Sequence, residues 1–213
     1  MDHGIAQPPA RRERTLLVTI AVVALIVSGI APKDRLTWLM EVVWVILAVP
    51  LIAWRWRAFP LTRLLCWLLV AHALVLIHGG AYTYAETPLG FWLRDLFGFE
   101  RNPWDRLGHI MQGFVPAILA RELLLRCTPL RRGGWLFYLV VAACLSFSAF
   151  FELLEWWAAL VYGADADAFL ATQGDVWDTQ WDMFLCLCGA ITSLLLFARL
   201  HDRQLGPQVL AGK

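Results

Sequence analysis

Charge is scarce in this sequence. Asp, Glu, Lys and Arg make up 16% of its 213 residues, against roughly 25% in a soluble domain. Apolar residues make up 60%, and the mean hydropathy is +0.61. A soluble globule of this size needs more polar surface than that, so a soluble enzyme and a disordered chain are excluded. A nucleic-acid binder would carry a basic face, and the formal charge is only +1. No nucleic-acid partner is expected. The period-two alternation of a membrane barrel is missing as well. The five cysteines, Cys66, Cys127, Cys144, Cys186 and Cys188, show no metal or disulfide spacing and read as small apolar packing residues.

What is present is a series of apolar runs punctuated by charge. They cover Thr15 to Pro32, Leu36 to Trp54, Leu64 to His78, Asp105 to Leu125, Trp135 to Tyr162 and Thr179 to Leu200. Each is near the roughly 20 residues that a helix needs to cross about 30 Å of hydrocarbon. The expected fold is all-α, a polytopic membrane bundle of about six transmembrane helices. Residues 1–14 read as a cytoplasmic tail, 15–200 as one membrane domain with outer loops near 79–104 and 163–178, and 201–213 as a second cytoplasmic tail. The first run follows Arg11, Arg12 and Arg14 but has no small-x-small cleavage site before Lys33, so it reads as a retained span.

Orientation follows from counting cations by side. With the N-terminus inside, only Lys33, Arg35, Arg94, Arg101 and Arg106 fall outside, and the other 13 of 18 fall inside. Both termini are therefore expected in the cytoplasm of a bacterial inner-membrane, multi-pass protein. The last outer loop holds Asp165, Asp167, Asp175 and Asp178 and no cation. Within the longer outer loop, Gly90 to Phe99 reads as a short amphipathic segment on the membrane surface. Tryptophans near the outer boundary (Trp38, Trp92, Trp104, Trp156, Trp157, Trp177, Trp181) and the inner one (Trp54, Trp56, Trp135) suit interfacial belts.

The ionisable residues inside the spans concentrate at one depth. Glu152 lies about 25 Å along the fifth run from Trp135, with Glu155 one turn further. His109 is one turn into the fourth run from Asp105, Asp182 is one turn into the sixth from Asp178, and His78 ends the third. Asp105 and His109, Asp178 and Asp182, and Glu152 and Glu155 each share one helix face by their spacing. Burying charge in a membrane is costly, so such groups face a bundle interior and mark function. His, Asp and Glu on facing helices suit a divalent metal, a proton relay or an acid–base pair. The expected metal candidates are His78, Asp105, His109, Glu152 and Asp182. The expected acid, base or ligand set is His109, Glu152, Glu155, Asp178 and Asp182. Tyr82, Tyr84, Arg106, Gln112, Asp175 and Gln180 are expected around them, in one cavity open to the outer face. Glu41 reads as a boundary residue and His72 as a hydrogen-bonded bundle residue.

These residues carry a resemblance. His78-Gly-Gly-x-Tyr82-x-Tyr84-x-x-x-Pro88, Asn102-x-x-Asp105-Arg106-x-Gly108-His109-x-x-Gln112-Gly113, Glu152-x-x-Glu155-Trp156 and Gly174-Asp175-x-Trp177-Asp178-Thr179-Gln180-x-Asp182-Met183 resemble a bacterial inner-membrane family of the YjdF type. That resemblance implies a small multispan membrane protein and supplies no reaction. More distantly, Asp105-Arg106-x-x-His109 and the pair Asp182 and Gly189 are similar to VanZ-like proteins, associated with glycopeptide resistance. Cys186 stands where their pattern has Asn. The similarity implies that the same helix ends form a site.

Three classes of function fit. The first is a hydrolase or transferase acting at the outer leaflet on a lipid or lipid-linked envelope precursor, with a divalent metal as the candidate cofactor. Nucleophilic catalysis is disfavoured, because no Ser or Cys at this level has a His nearby in sequence. The second is a proton- or cation-coupled carrier, against which stands the lack of an inverted repeat; six spans would suffice as a homodimer. A non-catalytic envelope or resistance factor that binds a lipid headgroup is a third reading. Membrane lipids are the expected partners throughout.

Overall fold

The computed structural model describes residues 7–163 and 170–210. Asp165, Asp167 and Lys213 lie outside them. The described residues form helices and connecting turns, without a strand. The long helices are α1 (Arg11–Ile30), α2 (Arg35–Arg55) and α3 (Arg63–Tyr82), then, after the short α4 (Pro88–Phe97), α5 (Trp104–Cys127), α6 (Gly134–Tyr162) and α7 (Asp178–Leu205). A single turn, α8 (Pro207–Leu210), follows. Five of these, α1, α2, α3, α6 and α7, are long and apolar enough to cross a membrane. α5 has 24 residues but carries Asp105, Arg106, Arg121, Glu122 and Arg126. It is the sixth expected span, and it tolerates those charges because the bundle shields it from lipid.

Local chemistry sets the helix ends. Asp34 caps α2 by accepting from the Thr37 backbone N–H at 2.7 Å, and this bond holds its carboxyl below the usual range. Pro88 opens α4, where a missing N–H costs nothing, and Gly98 at φ 69° closes it. α4 is the short segment expected between Gly90 and Phe99. It leaves Leu89, Trp92, Leu96 and Phe97 exposed.

α5 and α7 form the axis of the bundle, and their backbones nearly touch. A Cβ at Gly113 would lie 1.9 Å from the Cys186 carbonyl oxygen, and one at Gly189 would lie 2.1 Å from that of Ile110. Lipid gives no hydrophobic drive between helices, so close packing of small residues does the work. Ala117 and Ala190 continue this seam, with Cys144 and Val140 of α6 packed against it.

The two ends of the bundle differ in charge. The Gln7 N–H donates to the Gln204 carbonyl and the Arg63 N–H to that of Gln7, both at 3.1 Å. Arg126 reaches the Pro60 carbonyl at 2.7 Å. The starts of α1 and α3 therefore meet the ends of α5 and α7, which gathers the described cations counted above as internal. α7 continues through Leu205 with His201, Gln204 and Leu205 buried, so residues 201–205 belong to the bundle rather than to a tail. At the opposite end, the starts of α5 and α7 come together. Trp104 is buried there, its indole N–H bonded to the Val75 carbonyl, so it is a packing residue rather than part of a belt.

Candidate functional site

At that second end, α5, α6 and α7 each turn one helix face inward. His109 of α5 lies at the centre. Its Nε2 is 3.7 Å from Asp105 Oδ1 and 3.8 Å from Asp182 Oδ2, and its Nδ1 is 4.0 Å from Glu152 Oε1. Both Nε2 distances are too long for hydrogen bonds. They are only slightly wider than the spacing of about 3.4 Å between ligands that each sit about 2 Å from a tetrahedral ion. One ligand atom each from Asp105, His109 and Asp182 lies within 4.8 Å of the other two.

The imidazole has a defined orientation. Nδ1 stands 3.1 Å from Gln112 Oε1, an acceptor only, so Nδ1 carries the proton. That leaves the Nε2 lone pair pointing at two carboxylates. All three residues are buried: Asp182 is 1% exposed, His109 5% and Asp105 6%. Asp105 Oδ2, Asp182 Oδ1 and Glu152 Oε1 have no hydrogen-bond partner. Carboxylates with oxygens free of hydrogen bonds, gathered on one buried imidazole in a low-dielectric interior, are a setting that a cation would stabilise. The imidazole and carboxylate donors fit a transition metal such as Zn²⁺ or Mn²⁺.

Arg101, which sequence reasoning counted only as an outer cation, organises the rim. It binds Asp178 Oδ1 at 2.7 Å and the Thr172 carbonyl at 3.0 Å, and lies 3.8 Å from Asp105 and 3.5 Å from Asp175. Gln173 bonds the backbone of Asn102 in both directions. These contacts tie the segment before α7 to the start of α5. Arg106 pairs with Asp175 at 3.0 Å and stacks over Trp181, so it does not reach the His109 cluster.

Tyr84 is placed by backbone strain. Thr83 and Tyr84 both have positive φ, 59° and 34°, an uncommon conformation for residues with a Cβ. It drives the Tyr84 ring between Gly79 and Gly108, where added methyls would lie 2.2 Å and 2.9 Å from it. Glu41 of α2 lies against Gly80 and is 4% exposed. It is buried, and it lines the same cavity as Asp105 and His109.

Of the expected residues, the structure brings together Asp105, His109, Glu152 and Asp182, with Gln112 behind His109. Asp178 and Asp175 are held by Arg101 instead. Glu155 faces a cavity it shares with Glu41, Tyr84, Asp105 and His109. His78 packs edge-on to Trp104 and stacks on the half-exposed Tyr82; among the described residues it pairs with no carboxylate. Gln180 is exposed, because two residues along a helix from both Asp178 and Asp182 put it on the opposite face. Among the described residues, the Arg101 contacts cover the cluster at its own end of the bundle. The cavity that reaches it comes from the side, among α1, α2, α3, α5 and α6. His72 lines that cavity, and its Nε2 has no hydrogen-bond partner.

A second buried polar network occupies the basic end. His201 Nδ1 is 3.0 Å from Arg121, and its Nε2 is 3.0 Å from Glu122. Arginine only donates, so Nδ1 accepts from Arg121 and the Nε2–H donates a hydrogen bond to Glu122. Glu122 also accepts from the Thr62 hydroxyl and Arg126, both at 2.7 Å, and Arg121 pairs with Asp202. This satisfied network locks α5, α7 and the start of α3 together. Apart from the i, i+4 pair Glu122 and Arg126, its contacts join residues 60 or more positions apart, which no local spacing announces.

A family model described as predicted membrane protein (DUF2238) matches residues 13–203. The inner membrane protein YjdF of Escherichia coli (strain K12) is 50% identical over 191 residues, which cover 90% of this chain and 91% of that protein. No solved structure matches. Neither match is a VanZ-like protein.

Proposed function

The chain belongs to the DUF2238 family of membrane proteins, and from its buried cluster we propose a metal-dependent hydrolase or transferase that acts on a lipid or lipid-linked envelope precursor. It is an integral inner-membrane protein like its Escherichia coli relative. The observation that carries the reading is the convergence on His109 Nε2 of Asp105 at 3.7 Å and Asp182 at 3.8 Å, with Gln112 holding the ring's other nitrogen. A divalent ion there would polarise a carbonyl or phosphoryl oxygen and acidify a bound water. Asp105, His109 and Asp182 would hold the ion, and Gln112 would fix the imidazole ring. Glu152, whose Oε1 lies 4.0 Å from Nδ1 on the other edge of the His109 ring, would be the nearby carboxylate to serve as a proton acceptor. Arg101, 3.8 Å from Asp105, is the nearest cation for negative charge that develops on the reacting group.

The test is turnover of an inner-membrane lipid extract by the purified, zinc- or manganese-loaded protein in vesicles, with products read by mass spectrometry. A lipid should be consumed by the wild type and not by Asp182→Asn or Glu152→Gln. The cavity favours one other reading, a proton- or cation-coupled carrier, because it links the cluster to Arg14 and Arg57 near the basic end. Ion flux into vesicles without lipid turnover would select the carrier. Metal binding with neither turnover nor flux would leave a headgroup-binding factor.

A further inference from the structure

The proposed chemistry uses one end of a much longer cavity. Its volume is about 530 Å³. Glu41 and Ala53 of α2 both line it, so it runs at least about 18 Å at 1.5 Å per residue. That exceeds the depth of one leaflet, half of about 30 Å. Charged lining residues are confined to its ends: Glu41, Asp105 and Glu155 at the cluster, Arg14 and Arg57 at the other. Between them, apart from His72 and Cys66, the wall is aliphatic and aromatic, with Val45, Val49, Leu69 and Ala73 typical of it.

Such a space has a preferred filling. Left empty, it forfeits the dispersion contacts of its whole lining. Water needs two to four polar partners per molecule, and His72 is the main polar side chain along the middle of the wall. A hydrocarbon chain needs none, and it comes from a bilayer as apolar as the wall itself. A route in is visible. Trp44 of α2 and Phe147 of α6 meet edge-on across the cavity, with ring centroids 5.3 Å apart. Both rings line the cavity and Phe147 is 36% exposed, so this aromatic pair marks the seam between α2 and α6.

We propose that the cavity holds one hydrocarbon chain of a membrane lipid, admitted between α2 and α6 past Trp44 and Phe147, with the polar head at Asp105 and His109. The inference rests on the reading of that cluster as a lipid-processing centre. It adds that the substrate lies with its chain inside the protein, directed from the cluster toward the basic end, and that the group acted on is the one next to the chain.

The full chain, reconstituted in vesicles of phosphatidylethanolamine and phosphatidylglycerol, is illuminated with a phosphatidylethanolamine that carries a diazirine in mid-chain. Crosslinks are expected on Val45, Val49, Leu69 or Ala73, suppressed by excess unlabelled lipid. They should be lost in Ala73→Trp, which fills the cavity from α3, while that variant keeps wild-type metal content. Ala48→Leu, a smaller filler from α2, should reduce them if Ala73→Trp does not fold. Asp182→Asn should lose the metal and keep the crosslinks, so failure of the metal reading is separable from failure of this one. Wild-type crosslinks confined to the exposed Leu47, Leu51 and Leu74 would overturn the proposal. So would modification of Val49→Cys by a water-soluble, membrane-impermeant thiol reagent, which would mark a water-filled path.

Discussion

His109 is useful because of what holds its other nitrogen. The 3.1 Å contact from Nδ1 to Gln112 fixes the tautomer, and the tautomer aims the lone pair. Gln112→Leu removes that restraint without touching the ligands, and loss of such a support typically weakens metal binding by about 10–100-fold. Competition against a chelator, monitored by a zinc indicator, would read this; unchanged affinity would show that Gln112 does not position the ring. The satisfied network at the basic end behaves differently. Glu122→Ala would leave Arg126 and His201 without their buried acceptor, a loss of about 3–5 kcal/mol by analogy with broken buried ion pairs. The expected result is a clearly lower thermal midpoint in detergent with metal content retained; a midpoint within error of wild type would contradict it. The i, i+4 pair Asp105 and His109 was legible in the sequence because charge one turn inside a span is costly and must face inward. Arg101 and Glu122 each have one i, i+4 partner, Asp105 and Arg126, but their contacts to Asp178, Thr62 and His201 join distant segments, and no local spacing shows those.

At the scale of elements, the contact between α5 and α7 sets the site, because it holds His109 opposite Asp182. Gly113 and Gly189 permit it, each where a Cβ would meet a carbonyl oxygen of the other helix. Gly113→Ala or Gly189→Ala forces the two backbones apart, at a cost of about 1–3 kcal/mol for overpacking, and should also lower metal occupancy by spreading the ligands. Gly134→Ala, which meets nothing within 4 Å, is the control. Thermal midpoints and metal content of the three variants, measured side by side, check this; equal behaviour would show that the close approach is not required. The spans were readable almost to their ends because charges bracket apolar runs. α5 is instructive, since its polarity would disqualify it by hydropathy alone. Its polar face is explained by its place at the centre of the bundle, and the inward i, i+4 pair, not hydropathy, revealed that place.

For the molecule as a whole, charge asymmetry supplies the orientation. The start of α3 and the ends of α5 and α7 lie with the start of α1 at the basic end, and the cluster lies at the other. By the positive-inside rule, the basic end is expected in the cytoplasm. A reporter enzyme fused after Lys213 should therefore be active only in the cytoplasm; periplasmic activity would invert the orientation and place the cluster in the inner half of the membrane. The sequence put these residues at one end of the helices, where the structure gathers them, and gave no sign of the side cavity that reaches them. Depth follows from counting residues along helices, whereas access depends on which helices leave a gap, and no single helix encodes that. The account stands or falls on whether His109, Asp105 and Asp182 hold a cation. Elemental analysis of the purified full chain, grown with zinc and manganese supplied, tests this most directly. The account predicts about one divalent ion per chain in the wild type and loss of it in His109→Ala and Asp182→Asn variants that keep wild-type helix content. A metal-free wild type, or full occupancy in both variants, would contradict it.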